Sequence, residues 1–264
     1  MAEGVLLLLG TGSSAGIPVM GCDCSVCTSQ DPKNKRLRAS ALVRYAGTNL
    51  LIDAGPDIRQ QCLKFGIRHV DGLILTHTHF DHVGGLEELR VFNFKQQKPI
   101  PCLLSQESLN EVKMLFHYFF EEHDKDKTIP AKFTFHTLLE DRAKLTFCDI
   151  PLRCFSYAQS KMKVTGVRLG DLAYVTDIKE YPKTIFADLA NLNTLVISAL
   201  RFTSSRLQFS IDEAIDFAER VKAKTTYLIH MAHEIEHEHL QSLLPSNILP
   251  AYDGLEIAFD LRYA

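Results

Sequence analysis

The hydrophobic residues of this chain are concentrated in short runs that are bounded by glycine, proline and charged residues. Such runs are typical of β-strands buried on both faces. They predict strands at residues 5–9, 40–44, 50–53, 72–75, 103–104, 173–176, 194–198 and 226–229. Because a bilayer-spanning helix needs about 20 consecutive apolar residues, these short runs predict no membrane segment.

Helical periodicity occurs between several of these runs. The segment 107–120 repeats apolar residues at helical spacing, which predicts a helix with one buried face. A shorter helix is predicted at 58–65. The capping box formed by Ser210 and Glu213 predicts a third helix, which runs to about Lys222.

Strands interspersed with helices, without an internal repeat, predict an α/β fold of layered sheets in one domain over residues 1–264. The polar stretch 121–132 is expected to be an exposed loop within that domain. The net charge of -3 leaves no overall basic field, so nucleic acid is not an expected partner. The N-terminus lacks the basic and long apolar segments of a signal peptide, which predicts a cytoplasmic protein.

The cysteines indicate a metal site. Three of the seven cysteines are clustered at Cys22, Cys24 and Cys27, and the others are scattered singly. An odd number with one tight cluster favours reduced thiols and a metal site over a disulfide framework. The spacing of the cysteines by itself leaves the fourth ligand open.

A glycine-rich segment follows the first predicted strand. Residues 10–15 match the glycine pattern of a dinucleotide-binding loop, which requires a helix directly afterwards. The chain instead continues with Gly16, Ile17 and Pro18, which do not begin a regular helix there. We therefore expect the glycines to let the backbone pass close to a site or a neighbouring strand.

Four ligand-type side chains directly follow the strand predicted at 72–75. They are His77, His79, Asp81 and His82. If the chain stays extended, residues two apart face the same way, so the first three point to one position and His82 to a second. Imidazoles and a carboxylate are suitable ligands for zinc, manganese or iron.

This His-x-His-x-Asp-His pattern after a strand resembles the signature of the metallo-β-lactamase superfamily. The superfamily's fold is a four-layer αβ/βα sandwich with the metals at its edge. Segments 21–27, 36–41 and 53–60 are similar to the branch that contains phosphoribosyl 1,2-cyclic phosphate phosphodiesterase. Pyrroloquinoline quinone biosynthesis protein B belongs to a related branch. The resemblance covers nearly the whole chain.

The resemblance implies a complete set of active-site ligands. Asp177 matches the carboxylate that bridges two metals, and His230 matches the last histidine of the second metal. The implied ligands are His77, His79, Asp81, His82, Asp177 and His230.

The resemblance also selects a fourth ligand for the structural zinc. It assigns His233 to the cluster of Cys22, Cys24 and Cys27, in preference to His237 or His239. A set of three thiolates and one imidazole is a closed tetrahedral zinc site. The two histidines that are not selected are expected on the solvated face of a helix.

Two positions depart from the pattern of the family. Gln159 aligns with a metal-binding histidine, and Gln208 aligns with a histidine near the substrate. An amide oxygen is a weak neutral donor that suits harder ions better than zinc. Three outcomes stay open: one firmly bound metal at Asp81, His82, Asp177 and His230, two metals with a water in the gap, or a fold that has lost hydrolysis.

The implied activity is that of a metal-dependent hydrolase, a phosphodiesterase that attacks small cyclic or activated phosphodiesters through a metal-bound hydroxide. The predicted catalytic residues are Asp81 and Gln208. The predicted substrate contacts are Gln159, Ser160 and Lys161, and Arg59 is a further candidate. Alternatives are an iron-dependent oxidative enzyme, a tRNA-processing nuclease, or a catalytically weakened scaffold stabilised by zinc. Members of this branch are often homodimers, which is the expectation by analogy.

Overall fold

The computed structural model describes residues 3–121 and 129–263. Most of the loop predicted at 121–132, residues 122–128, lies outside them. The strands are β1 (Glu3–Gly10), β2 (Ser40–Tyr45), β3 (Thr48–Ile52), β4 (Gly72–Ile74), β5 (Ile100–Ser105), β6 (Phe133–Leu138), β7 (Arg142–Phe147), β8 (Ile150–Gln159), β9 (Met162–Leu169), β10 (Leu172–Val175), β11 (Thr194–Ser198), β12 (Thr225–Ile229), β13 (Ile248–Pro250) and β14 (Glu256–Asp260). The α-helices are α1 (Ser25–Thr28), α2 (Ile58–Lys64), α3 (Phe80–Val83), α4 (Arg90–Gln96), α5 (Gln106–Leu115), α6 (Ile185–Asp188), α7 (Ile211–Val221) and α8 (His237–Leu243).

These strands form two seven-stranded sheets, in which antiparallel and parallel pairings follow the same order. The first sheet has the order β14-β1-β2-β3-β4-β5-β6 and the second has the order β13-β12-β11-β10-β9-β8-β7. Antiparallel pairing joins β14 through β3 and β7 through β10. Parallel pairing joins β3 through β6 and β10 through β13.

The two sheets pack face to face around a shared hydrophobic interior, in which Leu8 and Ile52 of the first sheet meet Val167 and Tyr174 of the second. Helices α2, α4 and α5 cover the outer face of the first sheet. Helices α6, α7 and α8 cover the outer face of the second sheet. The predicted four-layer αβ/βα sandwich is therefore confirmed.

The predicted helix 107–120 is correct up to Leu115 and wrong after it. Helix α5 ends at Leu115, and Phe116 has a φ of -125° before a 3-10 turn at His117–Phe120. The break lets the rings of Phe116 and Phe119 stack at a centroid distance of 5.1 Å beside the core of the first sheet. Tertiary packing of aromatic rings thus overrides the helical spacing.

The apolar runs do not predict β6 through β9 or β13 and β14. Strand β6 alternates half-buried and exposed positions up to the buried Leu138, and β7 alternates Arg142 and Lys144 with Ala143 and Leu145. Both lie at the edges of their sheets. Because an edge strand with one wet face alternates polar and apolar residues, a search for continuous apolar runs misses it.

The glycine-rich segment after β1 passes between neighbouring backbones, as the sequence predicts. A side-chain carbon at Gly10 would lie 2.0 Å from the carbonyl oxygen of Arg38. Gly12 forms bridges to Arg38 on one side and to Met231 on the other. Only a residue without a side chain fits so close an approach. Within the described ranges, no helix is long and apolar enough to cross a membrane.

Candidate metal centre

The parallel strands of both sheets deliver ligand-type side chains to one edge of the sandwich. Asp53 follows β3, His77 lies beyond β4, Asp177 follows β10, and His230 follows β12. Three of these, Asp53, Asp177 and His230, have positive φ angles of 62°, 53° and 61°. This left-handed conformation, which Asp and His adopt more readily than most residues, bends the chain where each strand ends.

Two groups of three side chains, which the structure brings together around Asp177, have the composition of metal sites. The ligand atoms within each group lie within 4.8 Å of one another. The first group is His77, His79 and Asp177, and the second is Asp81, His82 and His230. All six ligands implied by the resemblance therefore lie at this centre.

The Asp177 carboxylate lies between the two groups. Its Oδ2 is 3.5 Å from Nε2 of His77, while its Oδ1 is 3.2 Å from Nε2 of His230. The Oδ1 atom is also 3.6 Å from Nε2 of His82. One carboxylate thus faces both candidate cation positions.

The expectation that Asp81 points with His77 and His79 is wrong. The extended chain ends at His79, which is the N-cap of α3, so Asp81 lies inside a helical turn. Its Oδ2 is 3.4 Å from Nε2 of His82 and 3.3 Å from Nε2 of His230. The change from strand to helix rotates Asp81 into the second group.

The carboxylate of Asp53 holds His82 in place through a hydrogen bond. Nδ1 of His82 donates to Oδ2 of Asp53 at 2.7 Å, and the backbone N–H and hydroxyl of Thr76 donate to the same carboxylate. A carboxylate behind a ligand histidine sets its tautomer and orients the other ring nitrogen. The sequence signal that could have identified Asp53 is its place at the end of a strand, β3.

The residues of the centre fit a divalent cation. The Nε2 atom of His82 is buried and has no hydrogen-bond partner among the described residues. Burial lowers the pKa of His82, but the carboxylates of Asp53 and Asp177 outweigh it and hold that pKa well above its ordinary value. The centre therefore favours positive charge, which a metal ion supplies while using the unpaired nitrogen.

Both glutamines that depart from the family pattern belong to the centre. Gln159 ends β8 and is 4% exposed, and Gln208 precedes α7 and is 5% exposed. Their Nε2 atoms donate to Oδ2 of Asp177 at 3.3 and 2.7 Å. They are buried residues in contact with the central carboxylate, not solvated loop residues.

A cleft of about 570 Å³ opens above the centre, a size suited to a small molecule. Its walls include Ser14, Phe80, Arg201 and Leu207. The predictions did not include Arg201, because its loop carries no motif. Its Nε is buried without a partner among the described residues, and its Nη1 is 3.8 Å from Glu234.

Three predicted substrate contacts do not line this cleft. Ser160 and Lys161 are exposed in the turn between β8 and β9, and Lys161 lines a neighbouring groove. Arg59 lies on α2, where it lines a groove of the outer helical layer. Gln159 alone of the predicted substrate contacts reaches the cleft wall.

The cysteine cluster and His233 meet beside the cleft. Nδ1 of His233 lies 3.3 Å from Sγ of Cys22, 3.5 Å from Sγ of Cys24 and 3.7 Å from Sγ of Cys27. The four side chains form a third candidate metal group. Three sulfur atoms and one ring nitrogen that converge in this way match a structural zinc site.

The expectation that His237 is solvated is wrong. It is 2% exposed, and its Nδ1 lies 3.1 Å from Nη2 of the fully buried Arg36. Burial and the nearby Arg36 cation lower the pKa of His237 to about 4, so the ring is neutral and accepts from Arg36 at neutral pH. His239, by contrast, is exposed.

The pattern of the family described as "Beta-lactamase superfamily domain" matches residues 48–231. A solved structure, "Crystal Structure of a New Diphosphatase from the PhnP Family", is 32% identical, with a TM-score of 0.89 and coverage of 98% of both chains. The chain therefore belongs to the β-lactamase superfamily and, within it, to the PhnP family. This membership and the clustered ligands support a metal-dependent hydrolase.

Two further relatives are similar to this chain but do not establish its activity. Zn(2+)-bound PqqB from Methylobacterium extorquens is 20% identical, with a TM-score of 0.75 and coverage of 96% of this chain and 99% of that one, which shows the fold alone. An "Octanoyltransferase" of Porphyromonas gingivalis is 34% identical over 260 residues, which are 96% of this chain but 51% of that protein. The chain thus spans about half of that relative, so the name of the longer protein does not define the activity of this chain.

Replacing Asp53 by Asn is expected to weaken metal binding about 10- to 100-fold, because the Nδ1 atom of His82 loses its carboxylate partner. Competition with a chromophoric chelator measures the affinity. Asp57→Asn, which changes a carboxylate paired with Arg38, is the control. Equal affinities of Asp53→Asn and the wild type would contradict the role of Asp53.

Replacing Cys27 by Ala is expected to remove one zinc per chain, because a set of two thiolates and one imidazole no longer encloses the ion. Elemental analysis of the purified protein measures the loss. Cys62→Ala, at a half-buried cysteine outside the cluster, is expected to keep the wild-type zinc content. An unchanged zinc content in Cys27→Ala would rule out this site.

Proposed function

We propose that this chain is a metal-dependent phosphodiesterase that hydrolyses small cyclic or activated phosphodiesters. The observation that carries the proposal is the pair of ligand groups at the cleft, with the carboxylate of Asp177 facing both of them. The six ligands His77, His79, Asp81, His82, Asp177 and His230 would hold zinc, manganese or iron. When bound, such cations polarise a phosphoryl oxygen and make a water molecule more acidic.

The chain's own residues would bind and orient the substrate. Arg201 brings a guanidinium group to the cleft wall, where it pairs loosely with Glu234 at 3.8 Å. An arginine suits the two oxygens of a phosphodiester because its donors form a planar fork. Phe80 is 70% exposed at the cleft and offers an apolar surface to the substituent of the ester.

The predicted catalytic residues take limited roles in this scheme. Asp81 would act as a ligand of the second position, since its Oδ2 is 3.3 Å from Nε2 of His230. Gln208 donates to Asp177 and has no proton that it can release by acid catalysis. Without an assigned protein acid, the chain is expected to prefer substrates with good leaving groups.

A second candidate function is hydrolysis of a diphosphate bond. It is favoured by the PhnP-family diphosphatase, whose structure has a TM-score of 0.89 against this chain. A diphosphate carries more negative charge than a phosphodiester, so its binding would depend more strongly on the cation of Arg201. Inorganic diphosphate and nucleoside diphosphates therefore belong in the substrate panel.

With Zn²⁺ or Mn²⁺ supplied, the protein is expected to hydrolyse bis(p-nitrophenyl) phosphate and a ribose cyclic phosphate slowly. Release of p-nitrophenol and phosphorus NMR measure the two reactions. Activity should disappear with EDTA and in Asp177→Ala, because both remove the shared metal centre. Absence of metal-dependent turnover on the whole panel would contradict the hydrolase proposal; oxygen uptake by an iron-loaded protein would then favour an oxidative enzyme.

Arg201→Ala is expected to raise KM for the phosphodiester about tenfold or more with a smaller change in kcat, because a charge-assisted contact to the bound phosphate is lost. Steady-state kinetics measure both constants. Arg206→Ala, at an exposed arginine of the same loop, is the matched control. A KM of Arg201→Ala equal to that of the control would exclude Arg201 as a substrate contact.

A further inference from the structure

The two oxygens of the Asp177 carboxylate have different surroundings. Oδ1 accepts from the hydroxyl of Thr176 at 2.8 Å and faces His230 and His82. Oδ2 faces His77 and accepts from the amides of both glutamines of the centre, Gln159 and Gln208, at 3.3 and 2.7 Å. Among residues 3–121 and 129–263, the oxygen that faces the first group, Oδ2, accepts from two amides, and Oδ1 accepts from none.

The two glutamines come from different elements and act on the same atom. Because each uses its Nε2 on Asp177, the Oε1 atoms of both are left buried without a hydrogen-bond partner among the described residues. A buried carbonyl oxygen without a partner costs free energy, which a cation or an ordered water relieves. Both are uncharged ligand atoms on side chains that contact Asp177.

The donor sets of the two positions are therefore unequal. The second position has two imidazoles together with the carboxylates of Asp81 and Asp177. The first position has two imidazoles and Oδ2 of Asp177. Two amide hydrogen bonds to Oδ2 reduce the electron density that this oxygen can offer a cation. Since anionic ligands hold a divalent cation more strongly than neutral amides, affinity is greater at the second position.

We infer that the centre is divided by the two glutamines into one tight and one exchangeable cation position. The tight position is formed by Asp81, His82, His230 and Oδ1 of Asp177. The exchangeable position lies at His77 and His79, where Gln159 and Gln208 are positioning residues that reduce its affinity. This inference rests on the metal centre of the proposed function, but it concerns the number of bound metals and not the reaction.

The number of metals per chain tests the inference without any substrate. After dialysis against metal-free buffer without chelator, the wild type is expected to retain two metals: one at Cys22, Cys24, Cys27 and His233, and one at the tight position. Addition of Mn²⁺, followed by electron paramagnetic resonance, should then show one further site with about 10- to 100-fold weaker affinity. Three metals retained by the wild type, or no further Mn²⁺ site, would overturn the inference.

Variants of Gln159 test whether this residue reduces the affinity of the exchangeable position. Gln159→His offers an imidazole to the first position and is expected to raise the retained metals to three per chain. Gln159→Glu keeps the shape and adds a charge, so it provides the same test if the histidine variant does not fold. Gln60→His, at an exposed glutamine of α2, should stay at two.

A metal count in folded Gln159→His and Gln159→Glu equal to that of Gln60→His would overturn the assignment of Gln159. These results are distinct from those on the proposed function. A wild type with two retained metals and no phosphodiesterase activity supports the unequal centre and contradicts the activity. An active wild type that retains three metals supports the activity and contradicts the unequal centre.

Discussion

The carboxylate of Asp177 is fully buried between the imidazoles of His77, His82 and His230, where a negative charge is stable only if donors or cations surround it. The surrounding groups come from both sheets. Because this one side chain contacts all of them, the packing of the two sheets and the geometry of the metal centre depend on each other. Burial raises the pKa of Asp177, but the nearby histidines outweigh it and hold that pKa well below its usual range, so the side chain stays anionic.

The cysteine cluster is connected to this centre through the loop after β12. The loop carries His230 at the candidate metal centre and His233 at the cluster. Between them, the backbone of Met231 pairs with the backbone of Thr11 and Ser13 at 3.1 and 3.0 Å. A zinc bound by the cysteines would therefore order the same segment that positions His230 and forms part of the cleft wall.

Much of the centre was predictable because its parts are local or follow strand ends. Four candidate ligands directly follow one predicted strand, and the resemblance to the family supplied Asp177 and His230. Strand β11 was predicted with its observed bounds. The capping box at Ser210 opens α7 as expected. The direction of Asp81 was not predictable from alternation, because the helical turn that begins at Phe80 depends on packing of α3: the carbonyl of Asp81 lies against Gly55, where a side-chain carbon would be 1.9 Å away.

The sequence by itself determined the layered fold and four ligand-type residues, His77 to His82, because their spacing within a few residues follows from strand and turn geometry. The resemblance to the family added Asp177 and His230 as ligands. Only the tertiary structure decided that Gln159 and Gln208 meet at one oxygen of Asp177, and that Arg201 rather than Lys161 or Arg59 reaches the cleft. The physical reason is distance along the chain. Contacts between separate strands and loops depend on the register and packing of two whole sheets, which no local pattern specifies.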